Sequence, residues 1–147
     1  MSPLERGLVA GYRSGLEEAI AKQLAEAGVA ATYEQHKLYY LIPARKTYYK
    51  PDFILPNGIV VESKGQFVTK DRTKHRLIRE QYPDLDIRFV FSNPNTKIGK
   101  RSKTTYAMWC ERLGIKFAKG LIPTDWLQEE LNDASITVIS QLLTKRG

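Results

Sequence analysis

The feature that most constrains this chain is an interrupted apolar run in its middle: Asp52-Phe53-Ile54-Leu55, then Pro56-Asn57-Gly58, then Ile59-Val60-Val61-Glu62-Ser63-Lys64. Pro56 suits the first central position of a type I turn, Asn57 the second, and Gly58 the left-handed position after it. The two runs are therefore tied into a hairpin with a three-residue loop. Loop length fixes register: Leu55 faces Ile59, Ile54 faces Val60, Phe53 faces Val61, and Asp52 falls opposite Glu62. Side chains alternate along a strand, so Phe53, Leu55, Ile59 and Val61 form a core-directed face. Asp52, Glu62 and Lys64 converge on the other.

Cross-strand neighbours stand roughly 4.5–5.5 Å apart at Cβ, so Asp52 and Glu62 repel unless a proton or a cation relieves them. A hard divalent cation fits that role, Mg²⁺ first with Mn²⁺ as its substitute, because such ions take carboxylate oxygens and keep several waters. Lys64 can stabilise charge on a phosphate under attack, or orient and help deprotonate a water. The alternative is a plain surface hairpin in which Asp52 ends a strand and Glu62 pairs with Lys64 or Lys50.

Composition narrows the partner. Lys and Arg outnumber Asp and Glu by 23 to 16, giving a net charge of +7 and a pI near 9.5. That balance favours a polyanion, without choosing between DNA, RNA and a membrane surface. A chain of 147 residues with 42% apolar content is expected to form one domain around an ordinary core. The single Cys110 excludes an internal disulfide and a Cys-based zinc site, and points to core packing in a reducing setting. The first ten residues lack a secretory apolar run and no stretch approaches a membrane span. A soluble cytoplasmic protein with no membrane partner is expected.

Around the hairpin the pattern is mixed α/β. Ser14 and Glu17 read as a capping box for a helix over about 15–27, with Leu16, Ile20, Leu24 and Ala27 on one face and Gly28 as its stop. The segments around Ala31-Glu34 and Leu38-Ile42 read as strands, the second closed by Pro43. Residues 44–50 are polar and basic and read as a linker. A helix is expected over Thr69 to Gln81, a strand over Ile87 to Phe91, and a basic loop from Lys97 to Lys103. Tyr106, Trp109, Cys110 and Leu113 mark a helix face closed by Gly114, and Ile115 to Ala118 a final strand. Thr124 reads as the cap of a short helix bearing Trp126 and Leu127. Residues 130–147 stay unassigned, although Ile136 to Leu143 are apolar enough to dock. About residues 1–12 are expected to be flexible.

Pro51-Asp52, Glu62-Ser63-Lys64 and the helical Glu17 resemble the PD-(D/E)xK nuclease pattern. The likeness extends further: Arg13 to Glu17, Tyr48 to Leu55, Pro56 to Ile59, Glu62 to Gly65, Leu77 to Gln81, Leu85 to Arg88 and Gly114 to Ala118 resemble the bacteriophage endonuclease I family of DNA junction resolvases. These blocks run in order from about residue 11 to 126. The tail after about Glu129 departs from the family's more basic ending, and Arg45 and Lys46 sit in a shorter connection than is usual there.

The resemblance implies a restriction-endonuclease-like mixed sheet flanked by helices, and a metal-dependent nuclease acting on four-way and other branched DNA. It implies that Asp52 and Glu62 bind metal, that Glu17 completes a two-ion site, and that Lys64 is catalytic. It also implies a domain-swapped homodimer with about residues 43–50 as the bridge, and, if the chain is phage-encoded, work in the host cytoplasm. Two other functions stand beside it: a PD-(D/E)xK nuclease with a different DNA target, and a basic module that binds nucleic acid without cutting it.

Individual residues each carry a plainer reading. Glu17 can serve the capping box alone. Glu18 lies four residues before Lys22 and reads as a solvated helix pair. Arg45, Lys46, Lys50, Lys70, Arg72, Lys74 and Arg76, with the loop bearing Lys97, Lys100, Arg101 and Lys103, would ordinarily be solvated charge. Here they are expected to meet DNA phosphates, which position a duplex without reading its bases. His36 and His75 are read as surface or DNA-contact residues, and the tyrosines as packing.

Overall fold

The structure, a computed structural model, describes residues 15–42 and 45–144. Ser14, Pro43 and the segment expected to be flexible lie outside the described residues. The elements run α1 (Gly15–Glu26), β1 (Thr32–Tyr33), β2 (Leu38–Ile42), β3 (Arg45–Tyr49), β4 (Phe53–Ile54), β5 (Ile59–Lys64), α2 (Thr69–Gln81), β6 (Asp86–Phe91), α3 (Tyr106–Leu113), β7 (Phe117–Lys119), α4 (Thr124–Gln128) and α5 (Asp133–Thr144). This is a mixed α/β fold. A five-stranded sheet has the order β1-β4-β5-β6-β7, antiparallel from β1 to β5 and parallel from β5 to β7. Strands β2 and β3 form a separate antiparallel pair.

The hairpin has the register its turn dictates. Phe53 pairs with Val61 and Ile54 with Val60, Leu55 N–H donates to Ile59 at 2.8 Å, and Gly58 N–H donates to Leu55 at 3.0 Å. Gly58 has φ +93°, and a Cβ there would lie 2.9 Å from Ile136 Cγ1 and 3.0 Å from the Asn132 carbonyl oxygen. Both the turn and the close approach of the C-terminal segment demand glycine.

Both faces of the sheet are covered. Phe53, Leu55, Ile59 and Val61 pack with Ile20 and Leu24 of α1 and with Trp126 of α4. Val60, on the other face, packs with Leu38, Tyr40 and Tyr49 of the β2–β3 pair, Ile78 of α2 and Ile139 of α5. Phe89 and Phe91 join Phe67, Tyr106 and Cys110 in a third cluster. Cys110 is buried, and burial pushes its thiol up to about 12, in keeping with a packing role. Among the described residues no helix is long and apolar enough to cross a membrane.

Four local expectations are corrected. Residues 45–49, read as part of a linker, are strand: Tyr49 is buried against the core while its neighbours Tyr48 and Lys50 are exposed, and all five residues pair with β2. Thr124 is the first residue of α4, with Pro123 at the cap position and no side-chain cap bond. Lys22 meets Glu26 at 3.9 Å, and Glu18, expected to pair with it in solvent, is half-buried. His75 is buried, its ring edge-on to Tyr49 and Phe89, with a surface role ruled out by its place in the core.

The unassigned tail becomes α5, which grips the hairpin turn. Asn132 N–H donates to the Asn57 carbonyl at 2.9 Å, and Ser135 Oγ donates to the Gly58 carbonyl at 2.6 Å while accepting from Asp86 N–H at 3.0 Å. Buried Arg88 on β6 chelates Asp86 and Glu129 together, fastening the start of this segment to the sheet.

Candidate metal-binding active site

Glu17, Ile20 and Leu24 are the buried residues of α1, spaced so that one helix face carries all three toward the sheet. Glu17 thus rides in on apolar packing and is only 5% exposed. Its Oε2 accepts a hydrogen bond from the Tyr33 hydroxyl at the end of β1. The capping partner Ser14 lies outside the described residues.

Asp52 is 1% exposed and sits one residue before the paired part of β4. Freed from the ladder, its carboxylate turns across the strand end, and Oδ2 accepts from both the backbone N–H and the hydroxyl of Ser63, each at 2.9 Å. Strand alternation puts Ser63 on the same face as Val61, toward α1, so this turn carries Asp52 away from the face it was expected to share with Glu62. Glu17, Glu34 and Asp52 each offer an oxygen within 4.8 Å of the others.

Sequence reasoning missed Glu34. It follows β1 directly, and the pairing of Tyr33 with Phe53 places it beside Asp52, whose carbonyl accepts its N–H at 3.2 Å. Glu34 has φ +48° and is the one non-glycine residue with positive φ among those described. A glutamate held in that conformation is a costly arrangement at a chain position that sequence presents as ordinary.

Glu62 lies outside that trio, on the face of β5 that meets Tyr49 and α2. It is 3% exposed, and Oε2 accepts from the Tyr49 hydroxyl at 2.5 Å. Burial first and the neighbouring Asp52 second push its carboxyl up to about 8, with Lys64, the Tyr49 bond and Lys74 pulling the other way. Lys64 Nζ stands 4.0 Å from Glu62 Oε1 and 3.6 Å from Asp71 Oδ1 at the start of α2. The charge of Asp52 is thus still felt at Glu62, although the two carboxylates do not share a face.

Three carboxylates within reach of one another, with Glu62 and Lys64 nearby, suit a hard divalent cation better than a soft one, since every ligand atom they offer is oxygen. Burial and the charge of Asp52, which raise the Glu62 carboxyl, are the effects that a cation beside it would offset.

The cations expected to meet DNA divide by place. Arg45, Lys70 and Lys74 line a groove of about 700 Å³ between β3 and α2, with Tyr40, Tyr48 and Asp71 among its other walls. Asp71 also contacts Lys64, so the groove adjoins the carboxylates. Arg72 is turned inward to the Phe67 carbonyl and to Thr69 Oγ1, and the Lys74 ammonium lies 5.2 Å over the Tyr49 ring. Lys46, Lys50, Arg76, Lys97, Lys100, Arg101 and Lys103 are exposed.

A mixed sheet flanked by helices, with buried acidic groups gathered at the hairpin, defines an α/β protein with a carboxylate-rich candidate metal centre. The chain belongs to the phage endonuclease I family, whose model matches residues 4–146. It is 54% identical over 121 residues to "Endonuclease I" of Escherichia phage T7, covering 82% of this chain and 81% of that one. It is 46% identical over 136 residues to "Endodeoxyribonuclease 1" of Enterobacteria phage T3, covering 92% and 88%.

Proposed function

We propose that this chain is a metal-dependent DNA endonuclease that cuts four-way junctions and other branched DNA by phosphodiester hydrolysis in the host cytoplasm. The observation that carries the reading is the gathering of Glu17, Glu34 and Asp52, with Glu62 and Lys64 alongside, in a family whose relatives bear endonuclease names. Asp52, Glu62 and Glu17 would hold Mg²⁺, or Mn²⁺ in its place, as two ions per site, and Glu34 would add a fourth carboxylate. Bound there, the ions supply Lewis acidity toward the phosphate and lower the pKa of water.

The chain's own residues do the rest. Ser63 fixes the Asp52 carboxylate, and Tyr33 fixes Glu17. Lys64 faces the phosphate and stabilises charge that develops on it. Arg45, Lys70 and Lys74 in the groove, with Lys46, Lys50, Arg76 and the Lys97, Lys100, Arg101 and Lys103 loop, hold phosphates of the arms, while Arg72, engaged with Phe67 and Thr69, braces the start of α2. Such contacts read shape rather than sequence, as a branched substrate requires.

The working unit in this reading is a homodimer that exchanges α1, so that the approach of Glu17 to Asp52 found within one chain is made between chains and Glu17 of one subunit serves Asp52 and Glu62 of its partner, with about residues 43–50 as the bridge. Two linked sites suit a junction that must be cut on two strands. Mixing Glu17→Gln chains with Asp52→Asn chains tests the exchange: a mixed dimer regains one intact site and hence activity, and no recovery after verified subunit mixing removes the swap. Incubation with a four-way junction beside a matched linear duplex, with Mg²⁺ and then with chelator, tests the activity itself. Cleavage of the junction in Mg²⁺ alone is expected. Equal cutting of the duplex would point to another DNA target, and binding without cleavage to a non-catalytic module.

A further inference from the structure

Tyr49 belongs to β3, outside the five-stranded sheet, yet its hydroxyl reaches a carboxylate on the sheet's central strand. The residue is fully buried. Its ring is fixed on one side by the edge of His75, with centroids 5.0 Å apart and planes at 81°, and on another by the Lys74 ammonium. Phenylalanine would fill this place among Leu38, Val60, Ile78 and His75 as well as tyrosine does. What the hydroxyl adds is a donor aimed at Glu62 Oε2.

We propose that Tyr49 is the positioning residue for Glu62: by holding Oε2 it presents Oε1 to a divalent cation on the side where Lys64 lies. This rests on the reading of Glu62 as a metal ligand. The donor is suited to the task because it is neutral. An arginine or lysine in its place would orient the carboxylate but also set a positive charge against the incoming cation, whereas a phenol adds none. A carboxylate with one oxygen tied also favours single-oxygen ligation, which suits the strict octahedral demands of Mg²⁺.

The geometry gives Tyr49 a second consequence. Arg45, Thr47 and Tyr48 of the same strand line the groove beside α2, so the element that would meet substrate is the element that orients the ligand.

The test compares wild type, Tyr49→Phe, Glu62→Gln and the double variant in Mn²⁺ titrations by calorimetry on the DNA-free protein. Junction binding in chelator and cleavage as a function of Mg²⁺ accompany them. Tyr49→Phe is expected to weaken Mn²⁺ binding about 10–100-fold, the range seen when a ligand's hydrogen-bond partner is removed. Junction binding should be unchanged, and raised Mg²⁺ should restore cleavage. Added to Glu62→Gln, the Phe substitution should do nothing more. Unchanged Mn²⁺ affinity in Tyr49→Phe, or a further equal loss in the Glu62→Gln background, overturns the assignment. Mn²⁺ binding that is absent from wild type, or indifferent to Glu62→Gln, instead overturns the metal-site reading and the positioning role with it. Should Phe at 49 fail to fold, 3-fluorotyrosine placed at that position keeps the hydroxyl. Its fluorine resonance should shift on Mg²⁺ addition, and a resonance that does not move contradicts the proposal.

Discussion

Ser63 donates both its backbone N–H and its hydroxyl to one oxygen of Asp52, each at 2.9 Å, across the end of the hairpin ladder. A buried carboxylate caught twice on Oδ2 is oriented by the fold before any ligand arrives. The same pair of bonds explains how Asp52 comes to Glu17 and Glu34 although strand alternation alone would send it toward Glu62.

Ser63→Ala removes the hydroxyl bond and keeps the N–H bond. Loss of one hydrogen bond to a charged group is worth about 1.5–3 kcal/mol, so junction cleavage in single-turnover assays should fall about 10–100-fold with junction binding intact. A Ser63→Ala protein that cuts at the wild-type rate would show that the N–H alone fixes Asp52.

Asp71 contacts Lys64 from the first turn of α2 at 3.6 Å, with both side chains partly exposed. Asp71→Asn should release the ammonium toward Glu62 and solvent. The expected result is a lower kcat with little change in KM, and recovery by Asp71→Glu. A change confined to KM would place Asp71 among the groups that merely shape the groove.

Glu62 supplies a pH signature. Its carboxyl is raised from 4.5 to about 8 by burial and by Asp52, so the folded state without metal holds a proton that the unfolded chain releases much earlier. The contribution to stability is complete below the unfolded value and is lost as pH rises through about 8. Denaturant unfolding of metal-free protein should therefore show stability falling across that window in wild type, and no such fall in Glu62→Gln. Metal binding requires the ionised carboxylate, so near pH 7 it should release about one proton per site. Mn²⁺ calorimetry in buffers of different ionisation enthalpy measures that proton. Release of equal size from Glu62→Gln would assign it elsewhere.

Much of this was legible in the chain because the signals were local. Pro56-Asn57-Gly58 sets the register of the hairpin with no help from the rest of the fold, pairing Phe53 with Val61 and Ile54 with Val60, whereas the turn of Asp52 onto Ser63, away from Glu62, is not a matter of register. The helical spacing of Glu17, Ile20 and Leu24 likewise turns a glutamate toward the core. Other features depend on contacts distant in sequence. Glu34 joins the cluster only through the pairing of β1 with β4 and a positive φ that glutamate rarely adopts. The strand at 45–49 looks like a linker until Tyr49 meets its buried partners. The tail folds as α5 because Gly58 leaves room for Ile136 and Asn132. His75 looks like a surface residue among the cations of α2, and is buried because that helix turns it toward Tyr49 and Phe89.

The central claim is that these carboxylates and a divalent cation cut branched DNA. It is tested most directly by Glu62→Gln and Asp52→Asn in a junction assay that reads binding and cleavage together. Each variant should fold, bind a four-way junction as wild type does, and fail to cut it in Mg²⁺. Normal cleavage by Glu62→Gln would contradict the account.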